Sequence, residues 1–177
     1  MKASPATLRV VCLLGSSVDA RSASGGGSHS ACVILRCLMS EESTTPDPVE
    51  LLGRAFEAAN RRDLDAAASS FAEDATFDGR ALGDHFQGRA AIRSFLEDWF
   101  GTYEELEFGL EEVRDLGNEV VFAVVVQNGR PAGSAGHLRQ REGWVFVWVG
   151  GLIARLTISE VDEARAAAER LAQERGR

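Results

Sequence analysis

The chain has 177 residues, 45% of them hydrophobic and 26% charged, and a formal net charge of −8 at neutral pH. That length suits one domain, and an acidic balance of this size excludes nucleic-acid binding by charge. No apolar run approaches the roughly 18 residues that cross a bilayer, so no membrane association is expected.

Residues 1–45 differ from the rest. They hold all three cysteines, Cys12, Cys32 and Cys37, and a linker-like stretch from Ser22 to Ser28. They carry four basic and three acidic side chains, which leaves −9 on the remainder. The reading is a disordered N-terminal extension over 1–45 ahead of a folded domain over 46–177. Met39 precedes Ser40-Glu41-Glu42, where an ordinary acidic start would fall, so residues 1–38 read as an over-extended frame. The competing reading is a secretory signal, with Lys2 and Arg9 as its basic region, Val10–Leu14 as its apolar region and cleavage after Ala20. That apolar run is shorter than the roughly 7–15 residues such signals use. A cytoplasmic location is the expectation. Lys2 is the only lysine among 19 basic residues, which points to a GC-rich, bacterial genome.

Asp47-Pro48-Val49-Glu50 is a strong helix start: Asp47 can cap, Pro48 suits the first turn, and Glu50 can reach back to the cap. Leu51, Leu52, Ala55, Phe56 and Ala59 then make one apolar stripe. Asp63 caps a second helix whose inward residues are Leu64, Ala67, Ala68 and Phe71, ending at Glu73-Asp74. A strand over Ala75–Gly79 and a short loop follow. After Gln87-Gly88-Arg89, Ile92, Phe95, Leu96, Trp99 and Phe100 mark a third helix.

From Glu104 the period becomes two. Leu106, Phe108 and Leu110 alternate with acidic residues, as in a half-exposed strand. Val120–Val126 is apolar on both faces and predicts an interior strand covered on both sides. Asn128-Gly129 opens a turn. In the next strand Trp144, Phe146 and Trp148 share one face and Val145, Val147 and Val149 the other. Gly150-Gly151 makes a tight hairpin into Leu152–Ile158, and a short helix from Ser159 closes the chain. Segregated helices and strands indicate an α+β fold.

This order, with the phrases RDLDAAASSFAEDATF (62–77) and GRAAIRSF (88–95), resembles the nuclear transport factor 2-like superfamily, in particular its SnoaL-like branch, over about residues 48–172. The resemblance implies a curved antiparallel sheet packed against three N-terminal helices, a cone-shaped α+β barrel around an apolar pocket, with a short C-terminal helix. It implies a homodimer, with the Trp144/Trp148 face as one possible interface, and tentative pocket-lining residues Phe56, Phe77, His85, Phe95 and Trp99.

The resemblance does not bring a catalytic set with it. The steroid-isomerase branch uses an aspartate base, a tyrosine and a protonated aspartic acid. The base position here is Gly79 and the tyrosine position Ala55; the second acid has no counterpart, the nearest alignment being Gln140. Asp78 lies one residue early, which on a strand means the opposite face from Phe77. An epoxide-hydrolase relay could draw on Asp78, Arg80 and Asp84 only within one loop, and no acid-base aspartate of the cyclase kind is assignable. His85, in the loop that normally rims the pocket mouth, is the better histidine for a general base; His137 reads as a solvated strand-edge residue, and no metal motif forms. No cofactor is implied. Three functions remain open: a protein that binds a small, largely apolar molecule, a cofactor-free acid-base enzyme of the polyketide cyclase, isomerase or epoxide hydrolase type, and a homodimerisation module with a filled pocket.

Overall fold

The computed structural model describes residues 47–79 and 84–177; the extension, its cysteines and both start-site readings lie outside the described residues. The elements run α1 (Pro48–Asn60), α2 (Leu64–Ser69), β1 (Phe71–Gly79), β2 (Asp84–Gln87), α3 (Arg89–Gly101), β3 (Tyr103–Asp115), β4 (Val120–Pro131), β5 (Leu138–Val149), β6 (Leu152–Ser159) and α4 (Val161–Arg175). The strands form one six-stranded sheet in the order β2-β1-β6-β5-β4-β3. The fold class is α+β as expected, with two refinements. The sheet is curved but open, and the β1–β6 pair is parallel while the other four pairs are antiparallel.

The caps act as the sequence suggests. Asp47 accepts a hydrogen bond from the Val49 amide at 3.0 Å, and Asp63 accepts one from the Ala66 amide at 3.1 Å. Glu50 does not close the capping box; its carboxylate takes the Arg54 guanidinium one turn on. The second helix is shorter than its apolar pattern implies. It stops at Ser69, and Phe71 opens β1 opposite Ile153. Two serines, which compete locally for backbone hydrogen bonds, end the helix. The Ser70 carbonyl then accepts from the Ile153 amide and enters the sheet.

Period-two alternation in β4 and β5 divides the apolar residues between two cores. Val121, Ala123 and Val125 of β4 face the helices α1–α3 together with Trp144, Phe146 and Trp148 of β5. Val120, Phe122 and Val124 face the other way with Val145, against Val161, Ala164, Ala168 and Ala172 of α4. The interior strand is thus buried on both sides, as its composition requires. The closing helix is not short: at 15 residues it is the longest of the four among the described residues. Trp144 and Trp148 are 6% and 3% exposed beneath the N-terminal helices, so their face is not open to a second copy.

Two glycines permit close approaches. Asn128-Gly129 makes no turn; β4 continues through both, and Gly129 lies under the Tyr103 ring, where a Cβ would come within 2.8 Å of Cδ1. The turn falls later, at Ala132–Gly136. Gly143 lies against α4, where a Cβ would sit 2.4 Å from the Ala164 Cβ and 2.9 Å from the Val161 Cα. Among the described residues no helix is long and apolar enough to cross a membrane.

Asn60, at the end of α1, ties the helix to β3. Its side-chain amide donates to the Phe108 carbonyl and accepts from the Phe108 amide, both at 2.8 Å. Asn60→Ala should lower unfolding stability by about 1–2 kcal/mol in urea titrations, because both hydrogen bonds are lost together. Gly143→Ala should cost about 1–3 kcal/mol by forcing α4 off the sheet. An unchanged midpoint for G143A would mean that α4 is free to move aside.

Candidate functional site

The space between the helices and the concave face of the sheet is a cavity walled by aromatic rings. Its walls come from α1 (Leu52, Phe56), α3 (Leu96, Trp99), β3 (Phe108) and β5 (Trp144, Phe146), with Phe77 of β1 at one end. The helices supply these side chains at i, i+4 (Leu52, Phe56) and i, i+3 (Leu96, Trp99) spacing, which brings one stripe of each onto the sheet. Phe56 and Trp144 stand 5.5 Å apart, Trp99 and Phe108 5.3 Å, and Trp99 and Trp144 6.4 Å between ring centroids. The free volume is only about 50 Å³. Ligand pockets usually run to roughly 300–1,000 Å³, and an engineered cavity of about 150 Å³ accepts benzene. In this conformation the rings nearly fill their own pocket. Trp99 is the aromatic wall that is only half-buried.

The residues singled out from the sequence divide. Phe56, Phe77 and Trp99 line the cavity. Phe95 does not; it packs behind them, 5.0 Å from Phe77, 5.3 Å from Trp99 and stacked on Phe86 at 4.3 Å. His85 is not in a loop at the mouth. It lies in β2, with its side chain exposed, directly opposite Asp78. Phe86, one residue on, pairs with Phe77 and takes the inward face, so alternation turns His85 and Asp78 to the outer side. Arg80 and the Asp84 side chain lie outside the described residues, so the Asp78–Arg80–Asp84 relay has no described geometry. His137 is exposed just before β5. Among the described residues no three His, Cys, Asp or Glu side chains gather in a metal-holding group.

A second set of residues includes two, Gln127 and Glu142, that were not singled out from the sequence. Trp144, Phe146 and Trp148 face the helices, so the same alternation places Gln140 and Glu142 of β5 on the concave face. Val121, Ala123 and Val125 likewise place Gln127 there. Gln127 is directly opposite Gln140 on one side and Phe108 on the other, and Glu142 is opposite Val125. Beyond the aromatic cavity the concave face therefore turns polar. Gln127 is 3% exposed, and its Nε2 has no hydrogen-bond partner; the Trp144 Nε1 is also buried without one. Burial pushes the pKa of the partly exposed Glu142 carboxyl up. The nearby Trp144 indole N–H opposes that shift, without meeting the carboxylate in full hydrogen-bond geometry. The signal was available: continuing each strand's alternation two residues past its last apolar member reaches Gln127 and Glu142, and one further step in β5 reaches Gln140.

A six-stranded curved sheet with helices in its hollow and an aromatic cavity between them defines the nuclear transport factor 2-like class. The SnoaL-like domain model matches residues 52–156, more than half of the chain, and the chain belongs to that family. Several solved structures share the fold. A hypothetical protein with a ketosteroid isomerase-like fold from Catenulispora acidiphila, in complex with trimethylamine, is 16% identical with a TM-score of 0.59, covering 68% of this chain and 92% of its own. A candidate polyketide cyclase from Xanthomonas campestris is 25% identical with a TM-score of 0.53, covering 69% and 96%. TerC, co-crystallised with polyporic acid, is 12% identical with a TM-score of 0.58, covering 70% and 98%. A comparison with curated proteins finds no match.

The Glu142 shift predicts a pH signature. A carboxyl whose pKa is raised by folding is favoured in its neutral form. Its contribution is fully present below the unfolded value of about 4.3 and is lost as pH rises through the folded value. At neutral pH the ionised Glu142 therefore costs stability. Glu142→Gln should raise Tm at pH 7, and the gain should shrink to nothing as pH falls below about 4. A Tm difference that is flat across this range would show that Glu142 titrates like an exposed carboxylate.

Proposed function

We propose that this SnoaL-like domain binds a small, largely apolar, ring-bearing molecule in the hollow of its sheet. The observation that carries this reading is the cavity wall, built of aromatic and aliphatic side chains from three helices and four strands that converge on one space. Such walls bind by shape and desolvation and need few polar contacts. TerC, a protein of similar fold, was crystallised with polyporic acid. A second reading, a cofactor-free acid-base enzyme, rests on one observation: Glu142, a carboxyl with a raised pKa, lies on the cavity's side of the sheet. The isomerase positions remain empty of acid, with Gly79 in β1 and Ala55 in α1 where that chemistry needs aspartate and tyrosine.

The small free volume sets the condition for binding: a ring enters when Trp99 moves outward. The population of that open state then scales the observed affinity. Naphthalene serves as the probe, followed by tryptophan fluorescence, since two of the three tryptophans line the cavity. Saturable binding to the full chain is expected. Trp99→Ala, which removes the moving wall, should bind naphthalene about tenfold more tightly, because no open state has to be populated first. If neither protein binds the probe, the hollow is a filled core and the binding reading fails.

A further inference from the structure

We infer that the turn between α1 and α2 sets the size limit of the hollow: Asn60 and Arg62 are positioning residues that hold two of its aromatic walls, Phe108 and Phe100, by their backbones. This deepens the binding function proposed above and rests on it. Asn60 commits its whole side-chain amide to one residue. Its Nδ2 donates to the Phe108 carbonyl and its Oδ1 accepts from the Phe108 amide, both at 2.8 Å. β3 is an edge strand with β4 as its sheet neighbour, so a side chain here takes the place of a further strand. Two residues on, the Arg62 guanidinium donates to the carbonyls of Phe100, Tyr103 and Glu104, each at 3.2 Å, and lies 5.8 Å from the Phe100 ring centroid. Arg62 holds this pose at φ +57°, in the left-handed region that residues other than glycine seldom adopt. Such a conformation persists only where the surroundings fix it, and here they fix it against β3 and the end of α3.

Phe100 and Phe108 both line the aromatic cavity, with their ring centroids 5.7 Å apart. Phe108 also meets Phe56 at 6.1 Å, Trp99 at 5.3 Å and Trp144 at 5.8 Å. It therefore touches rings from α1, α3 and β5, and a displacement of Phe108 is felt on three sides of the hollow. With Phe108 and Phe100 pinned, the outward movement of Trp99 works against walls that do not yield. The hollow should then accept a small ring system and resist a larger one. Releasing the Asn60 clasp leaves the Phe108 amide and carbonyl to water, so the β3 edge can give way and the size limit relaxes.

The test compares naphthalene with the larger pyrene on the full chain, each variant being checked for a native far-UV circular dichroism spectrum. The unsubstituted chain should bind pyrene no better than naphthalene, despite its greater apolar area. In Asn60→Ala the pyrene-to-naphthalene affinity ratio should rise about tenfold, because the loss of two hydrogen bonds raises the population of a widened hollow. Arg62→Gly, which keeps the positive φ without strain, should raise the ratio about threefold, and it carries the test should Asn60→Ala lose its native spectrum. Asn118→Gly is the control. It also removes an asparagine side-chain hydrogen bond, to the Ala172 carbonyl at 2.9 Å, but on the α4 side of the sheet and at a φ of +53° that suits glycine. It should lower stability and leave the ratio unchanged. If naphthalene binds and the ratio does not rise in Asn60→Ala, or rises as far in Asn118→Gly, Asn60 is a structural tie alone and the positioning role fails while the binding function stands. Pyrene binding more tightly than naphthalene to the unsubstituted chain would mean that there is no size limit to set. No binding of either probe to any of these proteins overturns both readings.

Discussion

The alternation of β4 and β5 is the constraint on which the molecule depends. Both strands are interior and both are buried on two sides, so successive residues belong to different cores. Odd residues of β4 and even residues of β5 face the hollow; their neighbours face α4. A slip of one residue would exchange the two sets and put Trp144 and Phe146 against a helix whose buried residues are Val161 and three alanines, with Leu171 at its edge. The small residues of α4 are matched to its side of the sheet: Ala164 comes so close that only glycine fits at 143. Apart from Phe122, the bulky aromatic residues of these two strands belong to the other side, where the curve of the sheet opens a wider gap.

That wider gap is what makes a pocket possible. Three helices lay aromatic and aliphatic side chains across the concave face, and close packing leaves little empty space between them. Binding in such a site is a competition between the protein's own rings and those of a ligand. The half-buried Trp99 sits where this competition would be decided. The polar strip beyond it has a different physical character. The Gln127 Nε2 is buried without an acceptor, and the Glu142 carboxyl is held in a less hydrated setting than water would give it. Such features lower stability without helping the fold, which is why they suggest a function.

Much of the fold is legible because its signals are local. Asp47 and Asp63 announce their helices, the Ile92–Phe100 stripe announces α3, and Gly150-Gly151 turns the last hairpin with positive φ at both residues. The misreadings share a cause. Phe71 satisfies a helical spacing and a strand equally well, and only its pairing with Ile153 decides. Asn128-Gly129 is a strong turn signal overridden by ladder pairing with Glu107 and Leu106. His85 was read as a loop residue because β2 is four residues long and exists only by pairing with β1.

The sequence by itself determined the family, the α+β class, the starts of α1 and α2, the course of α3 and the aromatic character of the hollow, since caps, periods and turn residues act over a few positions. It also held the faces of Gln127 and Glu142, through strict alternation along β4 and β5. Only the tertiary structure decided that those side chains lose their water, that Trp144 and Trp148 are covered by helices, and that His85 and Asp78 turn outward. Burial and hydrogen-bond satisfaction depend on what packs across from a residue. In a sheet whose first strand pairs with its last, those partners lie some 80 residues away along the chain.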